Sequence, residues 1–263
     1  MEWKGKYGPW ALVTGASSGL GAEFVRQLSA KGLNVVLVAR RQERMQELAA
    51  EVQEAYTTQT RILPVDLTSP GACEQVAEQV SDLEMGLLVN NAGYGMLGAY
   101  TSLDSDGQAK MTVLNCVVPV MLTNHFLPPM VSRGRGGLIF LGSSAAFQAT
   151  PYFATYGATK AFNLMLGEAL RIEYRKAGVD SLAVCPGFTR TEFADVANVQ
   201  DAGAFRVSTP PVVVRLALDS LGRKPFVMPG LTNKVGRFLT RLLPRSASSA
   251  IAGAALKGRA KDQ

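Results

Sequence analysis

The sequence predicts a doubly wound α/β fold: a parallel seven-stranded sheet covered by helices on both faces, in a single domain with a helical C-terminal extension. Three observations predict it. Short runs rich in β-branched residues alternate with longer amphipathic stretches along most of the 263 residues. The runs are apolar throughout rather than at every second position, as in strands buried on both faces. The stretches between them are long enough for the right-handed crossovers that parallel neighbours require.

In chain order, Ala11–Val13 reads as the first strand, a glycine-rich turn follows, and a helix runs from about Leu20 to Lys31, ended by Gly32. Asn34–Ala39 is a second, fully apolar strand. Gln42–Tyr56 is helical, with Met45, Leu48, Ala49 and Val52 on one face. Arg61–Val65 is a strand, Pro70–Ser81 a helix and Gly86–Val89 a strand. A long helix is expected over about Asp104–Ser132, interrupted near Pro119 and kinked or ended by Pro128 and Pro129. Leu138–Leu141, Thr155–Ala177, Ser181–Val184 and Phe226–Met228 complete the alternation as strand, helix, strand and strand. Pro210–Leu221 reads as a helix with Thr209 at its N-cap and Pro210 at its first position. The main domain is expected over 1–230, including a loop at 188–209, with a basic helical extension at 231–263.

Composition narrows the function. A hydrophobic fraction of 47% supplies a sizeable core, while a charged fraction of only 18% suits a chain with a buried oligomer interface or a membrane-facing surface. From Arg223 onwards there are nine Lys/Arg against one acid, Asp262, so this tail carries +8 and the rest of the chain −2. The basic character belongs to the tail, and no basic stripe interleaved with aromatics marks a nucleic-acid binder. Cys73, Cys116 and Cys185 are scattered and form no C-x-x-C, and one histidine is too few for a Cys/His zinc cluster, so no metal site is expected. They read as reduced core thiols of a cytoplasmic protein. No signal peptide is read at the N-terminus, and no apolar run reaches the roughly 20 residues that span a bilayer. His125 has no ionisable partner in its own turn and reads as structural.

The turn Thr14-Gly15-Ala16-Ser17-Ser18-Gly19-Leu20-Gly21 sits between the first strand and the first helix. Glycines there allow a sharp turn and close approach of a ligand, and the helix N-terminus offers N–H groups to a pyrophosphate. The placement makes the fold Rossmann-like, although the spacing is G-x-x-x-G-x-G rather than G-x-G-x-x-G. The second strand ends in Arg40-Arg41, with no acid to bind a ribose 2′-hydroxyl. Two permanently charged guanidinium groups, with the Ser17 hydroxyl nearby, suit a 2′-phosphate and point to NADP(H).

Together with Asn90-Asn91-Ala92-Gly93, Tyr156-Gly157-Ala158-Thr159-Lys160 and Pro186-Gly187, this turn resembles the short-chain dehydrogenase/reductase family over about Trp10 to Thr191. A single Tyr-x-x-x-Lys carries little weight; four motifs in family order on an alternating chain are specific. The resemblance implies cofactor binding by Thr14, Gly15, Ser17, Ser18, Gly19, Leu20 and Gly21, by Arg40 and Arg41, by Asp66 beside adenine with Leu67, and by Asn91, Ala92 and Gly93. It adds Pro186, Gly187, Thr189 and Thr191 over the nicotinamide. It implies a catalytic set of Asn115, Ser143, Tyr156 and Lys160, with Lys160 also holding ribose hydroxyls and Asn115 fixing a relay water. Family resemblance further implies a homo-oligomer, dimer or tetramer.

The chemistry has its own argument. Tyr156 and Lys160 are four apart and share a helix face. An ammonium beside a phenol favours the phenolate and brings its pKa nearer the working pH. Ser143, at the end of the fifth strand, can donate to a carbonyl oxygen as charge develops there. The expected reaction is hydride transfer between a nicotinamide and a small-molecule carbonyl or secondary alcohol, with Tyr156 as acid/base. Phe193, Val196, Val199, Phe205 and Val207, with Tyr94, Met96 and Leu97, suit an apolar ketone, acyl or steroid-like substrate, although core packing predicts the same residues. A non-catalytic nucleotide-binding regulatory protein and a membrane-peripheral reductase of lipid carbonyls are the competing readings. In the tail, Leu231–Leu243 forms a basic amphipathic helix that packs on the body or a second subunit, or makes a weak membrane contact. Ser246–Leu256 reads as one more short helix.

Overall fold

The computed structural model describes residues 3–197 and 207–257. A short helix α1 (Trp3–Tyr7) precedes β1 (Trp10–Thr14), α2 (Gly19–Ala30), β2 (Asn34–Ala39), α3 (Gln42–Ala55), β3 (Thr60–Pro64), α4 (Ala72–Gln79) and β4 (Met85–Asn90). Then come α5 (Ser105–Thr112), a π-helical turn (Val113–Val117), α6 (Val118–Arg133), β5 (Gly136–Leu141), α7 (Ala154–Tyr174), β6 (Val179–Val184) and α8 (Phe193–Val196). The chain continues through α9 (Pro210–Ser220), β7 (Phe226–Val227), α10 (Leu231–Leu242) and α11 (Arg245–Lys257).

The seven strands form one sheet in the order β3-β2-β1-β4-β5-β6-β7, every pair parallel. Successive strand residues point to opposite faces, and each face has its own core. Ala11, Val13, Val35, Leu37, Leu87 and Val89 meet Phe24, Val25 and Leu28 of α2, Met45 and Leu48 of α3, and Val213 and Leu218 of α9. Leu12, Val36, Val38, Leu88, Leu138 and Phe140 meet Val76 of α4 and Leu122, Phe126 and Met130 of α6. Truncating any of the fully buried leucines here to alanine costs about 2–5 kcal/mol. The strand order reverses between β1 and β4, so their carboxyl ends flank the crevice where such sheets bind ligands.

Several boundaries differ from expectation for local reasons. α4 begins at Ala72 rather than Pro70 because Gly71 takes a left-handed conformation at its N-cap. The interruption in the long helix is the π turn at Val113–Val117; Pro119 follows it, and its missing N–H removes the helical donor that the Asn115 carbonyl would otherwise have. Pro128 and Pro129 do not end the helix, which runs to Arg133 and stops at left-handed Gly134. Ser105–Arg133 is also, contrary to expectation, long and apolar enough to cross a bilayer by length and composition. It lies along the sheet, with Val118, Leu122, Phe126 and Met130 buried. The helix α1 was not legible in sequence; its Tyr7 is fully buried and donates to the Asp180 carboxylate at 2.6 Å.

The C-terminal helices pack on the body. Arg237 of α10 lies over the rings of Phe147 and Phe226 at 5.5 and 4.8 Å, and Ser248 of α11 bonds Gln148. The outer face of α10 leaves Val235, Phe238, Leu239 and Leu242 exposed.

Candidate functional site

The glycine turn is tied to the tip of β4. Thr14 Oγ1 accepts from the backbone N–H groups of Asn91 and Ala92 at 3.0 and 2.9 Å, and Asn91 Nδ2 donates to the Thr14 carbonyl at 2.8 Å. Gly15 and Gly19 have φ of +66° and +56°, the left-handed region that favours glycine. A Cβ on Gly21 would run into the Gly15 carbonyl. α2 starts at Gly19 without a side-chain cap from Ser18, so the N–H groups of Gly19, Leu20 and Gly21 have no intrahelical acceptor. This is an anion cradle, and the chemistry of its donors fits a dinucleotide pyrophosphate. Leu20 itself turns inward against the core.

The two arginines after β2 separate. Arg41 donates to Ser17 Oγ at 3.2 Å and to Ser18 Oγ at 2.8 Å, joining both turn serines to one guanidinium. Arg40 instead acts electrostatically on Asp66 and Tyr94. Asp66 accepts from the Thr68 N–H and hydroxyl, which hold its carboxyl below the usual range, while Leu67 is buried in the core.

At the carboxyl ends of β5 and β6, the proton-transfer groups meet. The Ser143 hydroxyl lies close enough to the Tyr156 phenol to favour its ionised form, and both side chains are buried. Burial pushes the phenol up to about 12 against the opposing effect of the Ser143 hydroxyl. The expected lowering by Lys160 is not realised: Lys160 Nζ donates to the Leu141 carbonyl at 2.8 Å and stands 5.7 Å from the Tyr156 ring centre. Burial in turn pulls Lys160 down to about 8.

Asn115 sits within the π turn. Its Oδ1 accepts from the Tyr94 N–H at 3.2 Å, and its Nδ2 donates to the Tyr94 carbonyl and Thr159 Oγ1, both at 3.0 Å. Its side chain therefore orients the strand after Gly93. Its backbone carbonyl already accepts from Asn163 Nδ2 at 2.7 Å, leaving one lone pair for a water. Asn90, the first residue of its motif, turns into the core towards Thr123 and leaves the cleft to Asn91, Ala92 and Gly93.

Pro186 accepts from the Ser144 N–H at 2.8 Å and so joins the Ser143 turn to the end of β6. Thr189 bridges to Ser208, and a Cβ on Gly187 would meet Asn233 of α10 at 2.6 Å. The Thr191 methyl packs on Gly19, 3.0 Å from where a Cβ would stand, so the loop after β6 crosses the glycine turn. Phe153 stacks on Tyr156 at 4.2 Å, and Phe193 tilts against it at 5.4 Å. Leu97, Met111, Tyr94, Met96 and, from α11, Leu256 join this cluster. Of the other expected lining residues, Val207 is exposed and outside it, and Val199 and Phe205 lie outside the described residues, as does the side chain of Val196. Among the described residues, no cluster of metal-ligating side chains occurs.

Sequence reasoning missed four residues here. Phe153 and Leu256 reach the tyrosine only through tertiary packing. Asn163 lies three residues past Lys160, at a spacing that marked it as one more helix-face residue. Glu192 bonds Arg41 at 2.8 Å and also pairs with Arg44; its only sequence signal was its place next to Thr191.

Comparison with known proteins agrees with this geometry. The family model for short chain dehydrogenases matches residues 9–202. The 7beta-hydroxysteroid dehydrogenase of Collinsella aerofaciens is 31% identical over 239 residues, 89% of this chain and 90% of that protein. A structure determined for 7beta-hydroxysteroid dehydrogenase stereoselectivity superposes with a TM-score of 0.88 at 28% identity, over 96% of this chain and 99% of the other. A short-chain dehydrogenase from Sphingobium yanoikuyae in complex with NADPH superposes with a TM-score of 0.80 at 30% identity, over 90% and 97%.

Proposed function

The chain belongs to the short-chain dehydrogenase/reductase family, oxidoreductases acting on CH–OH groups, and on that premise we propose that it is an NADP(H)-dependent reductase of bulky apolar ketones, with Tyr156 as the proton-transfer group. One observation carries the reading: the Ser143–Tyr156 pair lies at the carboxyl edge of the sheet, beside an uncapped helix N-terminus whose serines share the Arg41 guanidinium. A bound nicotinamide supplies or accepts the hydride. The first-turn N–H groups of α2 hold the pyrophosphate, and Arg41 with Ser17 and Ser18 receives the 2′-phosphate. Ser143 donates to the substrate oxygen, and Tyr156, protonated at neutral pH, gives that oxygen its proton.

The apolar surround of Tyr156, with Leu97, Phe153, Phe193 and Leu256, favours a large, oxygen-poor substrate such as an oxosteroid or a ketoacyl chain. The name of the Collinsella relative supports the steroid side of that choice. The reading includes a homo-oligomer, supported by the exposed apolar Phe162, Met165 and Ile172 on α7, and a cytoplasmic setting, supported by free Cys73, Cys116 and Cys185.

Fluorescence titration with NADPH and NADH side by side, followed by NADPH oxidation assays with a 7-oxosteroid and with acetone, tests the reading. Tighter binding of NADPH and turnover of the steroid alone are expected. Equal affinities would refute the arginine assignment, and binding without turnover of any ketone would favour a non-catalytic nucleotide-binding protein.

A further inference from the structure

Glu192 stands where the mechanism has no use for a carboxylate. Its two oxygens reach the guanidinium groups of Arg41 and Arg44, both on the β2–α3 segment, while Glu192 itself belongs to the loop after β6. Arg41 is the same side chain that gathers Ser17 and Ser18. The neighbouring Thr191 packs on Gly19. The three groups are each roughly half-exposed. A carboxylate on a guanidinium fork makes the contacts that a phosphate oxygen would make, with less charge.

We propose that Glu192 is a specificity-determining residue for the cofactor: its carboxylate, held between Arg41 and Arg44, occupies the Arg41 guanidinium that a 2′-phosphate needs, and so acts as a built-in competitor against NADPH but not NADH. The inference rests on the reading above that Arg41 receives the 2′-phosphate. An adenosine ribose with a free 2′-hydroxyl leaves the Glu192 bonds in place. A 2′-phosphate must displace them, and displacement unfastens the 191–192 segment from the β2–α3 side. Phosphate binding and the Glu192 contact are then reciprocally linked, each weakening the other by the same factor.

The test uses Glu192→Gln, which keeps the shape and removes the charge of an exposed residue. Exposed ion pairs of this kind are each worth a factor of about two to five and Glu192 makes two, so Glu192→Gln is expected to lower the Kd for NADPH about four- to twenty-fivefold. The Kd for 2′,5′-ADP falls in step, and the values for NADH and 5′-AMP stay unchanged. Glu47→Gln supplies the electrostatic background: Glu47 lines the same hollow as Ser17 and Arg44, and its change removes the same charge from the neighbourhood. An unchanged or weaker NADPH affinity in Glu192→Gln would overturn the proposal. So would an equal gain for NADH, which would make the effect one of loop mobility, or an equal gain in Glu47→Gln. Arg41→Ala separates the two levels of the argument. If it weakens NADPH and NADH alike, the 2′-phosphate assignment falls and the competitor with it. If it weakens NADPH alone while Glu192→Gln changes nothing, only the competitor falls.

Discussion

Lys160 makes the thermodynamics of this site measurable without a substrate. Its ammonium is buried, with the Leu141 carbonyl accepting from it at 2.8 Å and, among the described residues, no carboxylate bonded to it. Burial is the leading cause that pulls its pKa from the ordinary lysine value of 10.5 to about 8. A lysine whose folded pKa lies below its unfolded pKa binds fewer protons when folded, so stability must rise with pH between the two values. The full displacement corresponds to about 3 kcal/mol of destabilisation, present below pH 8 and relieved towards pH 10.5. About 2 kcal/mol of this relief falls between pH 7 and pH 9.5. Lys160→Met keeps the length of the side chain and removes its titration. Losing the Leu141 bond adds an offset that does not vary with pH. With a urea m-value of about 3 kcal/mol/M for a chain of this size, the unfolding midpoint of the wild type, relative to Lys160→Met, should rise by roughly 0.7 M over that interval. Urea melts at half-unit pH steps measure it. Parallel midpoint profiles for the two proteins would show that the ammonium is solvated in the native state, and the description of a buried Lys160 would be wrong.

Other perturbations read separate parts of the site. Tyr156→Phe keeps the ring stacked on Phe153 and removes the proton donor; turnover should fall by about 10²–10⁴ while the NADPH titration stays within twofold, and retention of wild-type turnover would refute the role of the phenol. Gly21→Ala drives a methyl into the Gly15 carbonyl, so calorimetry and titration should show a lower Tm and loss of both cofactors, whereas unimpaired binding would mean that the turn can open. Asn163→Ala leaves the buried Asn115 carbonyl without its donor, a loss of about 1–3 kcal/mol in urea unfolding; a change below a few tenths would show that water replaces the amide there.

What was legible in the sequence was whatever is encoded locally. The apolar runs gave all seven strands, most cleanly β2, where a strand buried on both faces has no polar positions to confuse the pattern, and least so the half-exposed edge strand β3 with Thr60 and Arg61. Tyr156 and Lys160 were visible as one helical turn, and Gly15, Gly19 and Gly21 as a strand-to-helix turn. The mutual electrostatics were not visible. A four-residue spacing puts Lys160 on the same face as Tyr156, but the Leu141 carbonyl, nineteen residues upstream, decides where the ammonium points. Likewise Arg40 and Arg41 are equivalent in sequence, yet they diverge towards Asp66 and towards Ser17 and Ser18. The π turn at Val113–Val117 has no composition signal, and Glu192 is joined to Arg41 across a sequence separation of 151.

The unfavourable groups of the structure bear on the choice between an enzyme and a nucleotide-binding scaffold. A scaffold needs the glycine turn, the uncapped end of α2 and a guanidinium. It has no use for an ammonium buried near a buried phenol, for Asn163 with its Oδ1 buried and unpartnered, or for Tyr152 in the left-handed region at φ 64°, four residues before Tyr156. Each of these destabilises the native state. Buried unpartnered atoms also occur away from Tyr156, at Ser29, Thr58, Arg133 and Arg171. What sets the Tyr156 region apart is the kind of group it buries: a phenol and an ammonium one helical turn apart, both displaced by burial, are what a site that holds and moves a proton requires. That pairing is why the catalytic reading outweighs the scaffold.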